Sequence, residues 1–134
     1  MRLSDAIATG RVAVIPRGGM FLFGDGSGCA LGMAGVAAGL LSLNRIAGCG
    51  EIDKFFRQWP WTRDLRFVPP CRCYGYEREL GACQIIGHTF DEHVITRDWT
   101  LDQLIDWVRS VEPAEPESAI AESLQSTELV EKHV

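Results

Sequence analysis

The spacing of apolar residues is most regular after Thr100. Apolar side chains recur there every three or four residues, which places them on one face of a helix: Leu101, Leu104, Ile105, Val108 and Val111. Thr100 and Gln103 have the spacing of a capping box, in which each side chain bonds the backbone N–H of the other residue. The pattern therefore predicts an amphipathic helix that begins at Thr100 and ends before Pro113.

Shorter elements are predicted in the first half of the chain. Helices are expected over residues 3–9, 29–43 and 51–59. Two β-prone runs, 12–15 and 20–23, are separated by a Pro-Arg-Gly-Gly segment, and this arrangement predicts a hairpin with a four-residue loop. Together the elements predict a small α+β domain with one β-hairpin and three to five helices.

Acidic residues are concentrated at the end of the chain. The 134 residues carry a formal net charge of -5. Residues 112–134 hold six Glu and one Lys, so this segment accounts for the whole net charge. Its apolar residues are few and scattered, which is typical of a segment that cannot form a core by itself. We therefore expect one globular domain over 1–111 and an acidic, Pro/Glu-rich tail over 112–134.

The cysteines and the first residues bear on the compartment. The five Cys are an odd number, and the N-terminal residues lack the unbroken apolar run of a signal peptide. The uncharged run over 29–43 has fifteen residues, fewer than a membrane span needs. We expect a cytoplasmic protein with no membrane partner, in which clustered Cys residues are metal ligands or buried thiols more often than disulfides.

A Cys pair followed by a His pair has the order of a zinc site. Cys71 and Cys73 precede His88 and His93 by fourteen residues, and Cys83 lies between the pairs as a substitute ligand. Tetrahedral zinc is commonly held by two thiolates and two imidazoles from two short segments. The spacing predicts a structural zinc ion. The alternative is that the thiols are unpaired or buried and that the histidines cap a helix end.

Cys29 is a candidate nucleophile. It follows a Gly-rich segment at the expected start of a helix, a position that lowers the pKa of a thiol. With His88 or His93 as the base and Asp91 as the orienting group, it would form the catalytic set of a thiol hydrolase. The residues after Cys29 are apolar, so a small buried cysteine at the start of a core helix is the competing interpretation.

Basic and aromatic residues alternate over 54–78. The cations considered for nucleic-acid binding are Lys54, Arg57, Arg63, Arg66 and Arg72. Seven of the twelve aromatic residues lie in the same segment, and Arg combined with aromatic side chains can hold single-stranded nucleic acid. The alternative is that the aromatic side chains fill the core and the cations are solvated.

Several short segments resemble a group of small uncharacterised bacterial and phage-encoded proteins. The likeness lies in the opening Met-Arg-Leu-Ser-Asp-Ala-Ile, in Cys-Ala-Leu-Gly at 29–32, in the His-x4-His element at 88–93 and in the Trp-Thr helix at 99–108. It extends over residues 1 to 111. The resemblance implies a bacterial or phage origin, in a bacterial or phage-infected host cell, and it implies no reaction.

The sequence as a whole favours a non-enzymatic interaction or regulatory module with a structural Cys/His zinc site and a protein partner. Three alternatives stay open at this point. These are a single-stranded nucleic-acid-binding protein that uses 54–78, a hydrolase with Cys29 as its nucleophile, and a phage virion or assembly component.

Overall fold

The structure is a computed structural model, and it describes residues 1–64, 86–87, 89–95 and 99–114. The described α-helices are α1 (Leu3–Gly10), α2 (Ala30–Ala37), α3 (Ile52–Gln58) and α4 (Leu101–Val111). Short 3-10 helices span Cys49–Glu51 and Pro60–Asp64, and a π-helix spans Phe90–Ile95. In the part of the chain that is described, no helix has the length and apolarity needed to cross a membrane.

The predicted capping box begins α4. The Thr100 N–H donates to Oε1 of Gln103 at 2.7 Å, and the Gln103 N–H donates to Oγ1 of Thr100 at 3.2 Å. The apolar face of α4 lies in the core, with Leu104 and Val108 fully buried. Two reciprocal bonds satisfy backbone donors that a helix otherwise leaves without partners in its first turn. The prediction for this helix is confirmed.

Four two-residue strands form a mixed sheet. They are β1 (Ile15–Pro16), β2 (Leu22–Phe23), β3 (Ser27–Gly28) and β4 (Ile46–Ala47), and their order across the sheet is β1-β3-β2-β4. The β1–β3 pair is parallel, whereas β2 is antiparallel to both β3 and β4. A small mixed sheet with surrounding helices confirms the α+β class.

The hairpin forms between different strands from those predicted. β2 and β3 are joined by Gly24-Asp25-Gly26, in which both glycines have positive φ, +86° and +93°. The Asp25 carboxylate accepts a hydrogen bond from the Ser27 N–H at 3.1 Å, which stabilises this turn. The predicted pairing of 12–15 with 20–23 is wrong, because β1 pairs with β3 instead. The Ile15 N–H donates to the backbone O of Gly26 at 2.8 Å.

The small-residue helix is shorter than predicted. α2 ends at Ala37, and Gly39 then takes a left-handed φ of +76° that L side chains rarely adopt. The chain therefore turns back before residue 43 and forms β4, a strand that the sequence pattern did not indicate. The remaining helix predictions, over 3–9 and 51–59, are confirmed by α1 and by the 3-10 helix that continues into α3.

α1 and α4 pack as antiparallel neighbours with ion pairs along their contact. Arg109 pairs with Asp5 at 3.4 Å near the start of α1, and Arg11 pairs with Asp102 just after its end. These pairs lie at the surface, so each contributes little to the free energy of unfolding. The orientation brings the end of α4 to the beginning of α1.

Glu112 joins these two helix ends through a buried carboxylate. Its side chain is 1% exposed, and it accepts hydrogen bonds from the Ser4 N–H at 3.1 Å and from the Ser4 hydroxyl. The Arg2 guanidinium pairs with the same carboxylate at 3.0 Å. Negative charge is stabilised at a helix N-terminus by the backbone dipoles. Glu112, the first residue of the predicted acidic tail, therefore packs against the start of α1.

α1 and α2 approach closely at Gly10. A Cβ atom at this position would lie 1.8 Å from the backbone O of Met33, a distance that no real contact reaches. We expect Gly10→Ala to lower the free energy of unfolding by about 3 kcal/mol, because the helices must separate. Gly50→Ala is the matched control, since nothing lies within 4 Å of its Cβ position, and its effect should stay within about 0.5 kcal/mol. Urea denaturation measures both, and equal stability of the two variants would contradict this packing.

Replacing the buried carboxylate tests the junction of α1 and α4. Glu112→Gln removes the negative charge that pairs with Arg2 and accepts the hydrogen bond of the Ser4 N–H. We therefore expect a loss of about 2–3 kcal/mol in the free energy of unfolding. Glu51→Gln is the control, because the Glu51 side chain is 36% exposed in its pair with Lys54, and its loss should stay below about 1 kcal/mol. Thermal unfolding monitored by circular dichroism compares them; a smaller loss for Glu112→Gln than for Glu51→Gln would show that the buried junction is not stabilising.

Candidate functional site

Cys29 lies at the start of a helix, α2, as the sequence predicts. Its surroundings oppose ionisation of the thiol. It is the N-cap residue of α2, and its N–H donates to the backbone O of Phe21 at 3.1 Å. The residue is 3% exposed. Burial raises the pKa of the Cys29 thiol to about 12, while hydrogen bonds from the backbone N–H groups of Gly32 and Leu31 lower it by less. The expectation of a lowered pKa is wrong, because desolvation exceeds the effect of the helix N-terminus.

Asp91 lies close enough to Cys29 to affect it electrostatically. The negative charge of Asp91 raises the pKa of the Cys29 thiol further. One oxygen of this carboxylate accepts a hydrogen bond from the Gly19 N–H at 3.3 Å, so the π-helix and the loop before β2 meet here. A carboxylate in this place disfavours the thiolate that a nucleophile needs. The structure thus brings two members of the predicted catalytic set together in an arrangement that works against their predicted roles.

His93 is held in an aromatic stack, which we define as His93, Trp99 and Trp107. The imidazole is parallel to the Trp99 ring within 17°, with ring centroids 4.5 Å apart. The ring centroids of Trp99 and of Trp107 on α4 are 6.3 Å apart. The backbone N–H of Trp99 donates to the backbone O of His93 at 2.9 Å. His93 itself is 8% exposed. The sequence marked His93 as a ligand or base, but it gave no signal for this stack.

The π-helix that carries His93 is anchored in the core. Ile86, Thr89 and Phe90, at its beginning or just before it, are all 0% exposed. π-helical turns are rare and are frequent at functional sites. The imidazole therefore has a fixed position relative to α4.

The other members of the predicted zinc site lie outside the described residues. These are Cys71, Cys73, Cys83 and His88. Among residues 1–64, 86–87, 89–95 and 99–114, no group of three or more His, Cys, Asp or Glu side chains is arranged to hold a metal ion. The zinc site remains a prediction, and the structure places one of its proposed ligands, His93.

In the described part of the basic segment, two of the aromatic side chains are buried and the Arg residues are exposed. Phe55 and Trp59 are buried in the core with ring centroids 5.9 Å apart. Arg57 and Arg63 are exposed, and the Arg63 guanidinium lies 4.6 Å from the ring centroid of Phe56. Stacking of bases needs open aromatic faces, which Phe55 and Trp59 do not offer. Lys54 pairs with Glu51 at 2.6 Å, and Arg66 and Arg72 lie outside the described residues.

A cavity lies beside β4, at a place that no sequence motif marks. Its volume is about 230 Å³. We call it the edge cavity; its lining residues include Leu40, Leu41, Arg45, Ile46, Glu51 and Lys54. Leucine side chains supply apolar surface, and three of the residues carry charge. The cavity arises because α2 ends early and the chain returns to the sheet, which is a tertiary feature.

The pKa of Cys29 sets its rate of alkylation. A rise from 9.0 to about 12 lowers the thiolate fraction near pH 8 about a thousandfold. We therefore expect iodoacetamide to modify Cys29 at least that much more slowly in the folded protein than in guanidinium, as measured by peptide mass spectrometry. The folded state holds the Cys29 proton more tightly, so this group contributes stability below pH 9 that is lost as the pH rises toward 12. Equal rates in the folded and unfolded protein would show an accessible, reactive thiol.

Comparison with known proteins finds no similarity that assigns the chain to a family. No family model, no curated protein and no solved structure matches it.

Proposed function

We propose that the protein is a non-enzymatic interaction or regulatory module whose later half is held by a structural Cys/His zinc site. The observation that carries the proposal is the burial of the Cys29 thiol. A thiol nucleophile must be accessible and partly ionised near neutral pH. Cys29 meets neither requirement, and the nearby Asp91 carboxylate raises the pKa of its thiol further. This removes the support for the one catalytic set that the sequence offers.

The donor set of the proposed zinc site fits a structural ion. Two thiolates from Cys71 and Cys73 and two imidazoles from His88 and His93 fill four tetrahedral positions, which leaves no open position for a reacting water. Zinc bound in this way contributes folding free energy and performs no chemistry. His93 supports the proposal because the stack on Trp99 and the anchored π-helix fix its position. A ligand that is already fixed loses less conformational entropy when the ion binds.

Metal content tests the zinc proposal directly. Protein purified without chelator should contain one zinc per chain by inductively coupled plasma mass spectrometry. Cys73→Ser should lose the zinc and unfold at a lower temperature, because three ligands hold zinc more weakly than four. Cys49→Ser is the matched control, since Cys49 is outside the proposed ligand set, and it should retain the metal.

Cys83 complicates this test because it could replace a lost ligand. The double variant Cys73→Ser/Cys83→Ser removes that substitution and should be free of zinc. The proposal fails if the unaltered protein purifies without zinc, or if the double variant keeps a full equivalent of it.

A further inference from the structure

The two edges of the described sheet differ in their capacity to accept another strand. On β1, Ile15 and Arg17 direct their N–H groups to β3, donating at 2.8 Å to the O atoms of Gly26 and Gly28. The residue between them is Pro16, which faces the open side and has no N–H to donate. A proline at this position prevents regular strand addition along β1. Within the described sheet, β4 is therefore the edge that can be extended.

The register shows which backbone groups β4 presents. The Cys29 N–H donates to the backbone O of Phe21 at 3.1 Å, so the N–H and C=O groups of Phe21 point toward β3. The N–H and C=O groups of the next residue, Leu22, therefore point toward β4. Opposite residues in an antiparallel ladder alternate between pairs that exchange hydrogen bonds and pairs that point away from each other. Ala47 lies opposite Leu22, and Ile46 opposite Phe23. Ile46 therefore directs its N–H and C=O to the open side of β4.

The surface beside this edge combines one exposed aliphatic residue with charged groups. Ile46 is 71% exposed, so its side chain is accessible to a ligand at this edge. The edge cavity, of about 230 Å³, has room for one side chain, and its lining is more polar than apolar although it includes Leu40 and Leu41. Arg45 and Lys54 line the same cavity, and Glu51 offsets only the second of them. Among the described carboxylates none pairs with Arg45, so its positive charge is available to a ligand.

We propose that β4 and the edge cavity bind an extended acidic peptide of a partner protein by strand addition. The backbone of the peptide bonds to Ile46, one of its side chains enters the edge cavity, and an adjacent carboxylate pairs with Arg45. Backbone bonds give such interactions affinity, and the side-chain pockets give them specificity. The inference rests on the proposed interaction role and adds the site and the chemical class of the partner.

Fluorescence anisotropy with a defined probe tests the charge requirement. The probe is a fluorescein-labelled Ser-Glu-Val-Leu-Val-Glu peptide, and its comparison peptide has Lys in place of both Glu residues. We expect the acidic peptide to bind at least tenfold more tightly. Arg45→Glu should weaken its binding about tenfold, whereas Arg57→Glu, an equal charge reversal on an exposed residue outside the cavity lining, should change it less than twofold.

Hydrogen exchange tests the backbone contact independently of charge. Saturation with the acidic peptide should slow exchange of the Ile46 amide at least tenfold, as measured by NMR, because that N–H gains an acceptor. An unchanged Ile46 amide, equal binding of both peptides, or equal effects of Arg45→Glu and Arg57→Glu would overturn the inference. A dimer of the unaltered protein that dissociates in Ile46→Lys and binds no peptide would assign the edge to a second copy, which also overturns it.

These measurements separate the inference from the proposed function. Zinc content and Cys29 alkylation involve neither β4 nor Arg45. A protein that contains zinc, shields Cys29 and binds no acidic peptide would retain the proposed structural role and lose this docking site.

Discussion

The relative arrangement of α1 and α4 depends on the buried Glu112 carboxylate. It joins residues that are 108 positions apart and places the end of α4 against the beginning of α1. Burying a carboxylate is costly unless hydrogen bonds and an opposite charge compensate for lost hydration, and here Ser4 and Arg2 supply both. Surface pairs such as Arg109 with Asp5 follow from this arrangement and are too exposed to determine it. The antiparallel contact of α1 and α4 in turn encloses the core residues between them.

Close backbone approaches impose the second constraint, and they explain the state of Cys29. A Cβ at Gly32 would lie 1.8 Å from the O of Phe21, and one at Gly28 would lie 2.1 Å from the same atom. β2 therefore lies directly against β3 and the start of α2, and Cys29 is enclosed between these two glycine positions. Cys29 is buried in this packing, so desolvation is the largest influence on the pKa of its thiol. The same glycines that allow the fold make this cysteine structural.

Local signals in the sequence predicted the local elements. The capping box of α4 and the apolar spacing of its residues depend on neighbours within one or two turns, so the sequence alone predicts both. The strands have two residues each, so their pairing depends on distant parts of the chain, and the predicted hairpin was wrong for that reason. The contact of Glu112 with Ser4 has no sequence signature. For Cys29 the position at a helix start was predictable, whereas its burial was not, and burial reverses the inference about its pKa.

The two edges of the described sheet differ in their capacity for strand addition, and this difference favours the proposed interaction role. Pro16 prevents strand addition at one edge, and natural sheets use proline in this way to avoid unwanted association. The opposite edge has no such protection, since Ile46 is exposed there beside a cationic cavity. An open strand edge presents backbone N–H and C=O groups with which another chain can pair. In the proposed complex a carboxylate of the peptide would pair with Arg45, while this same Arg would disfavour association with basic chains, so charge would select among the peptides that the open edge could otherwise accept.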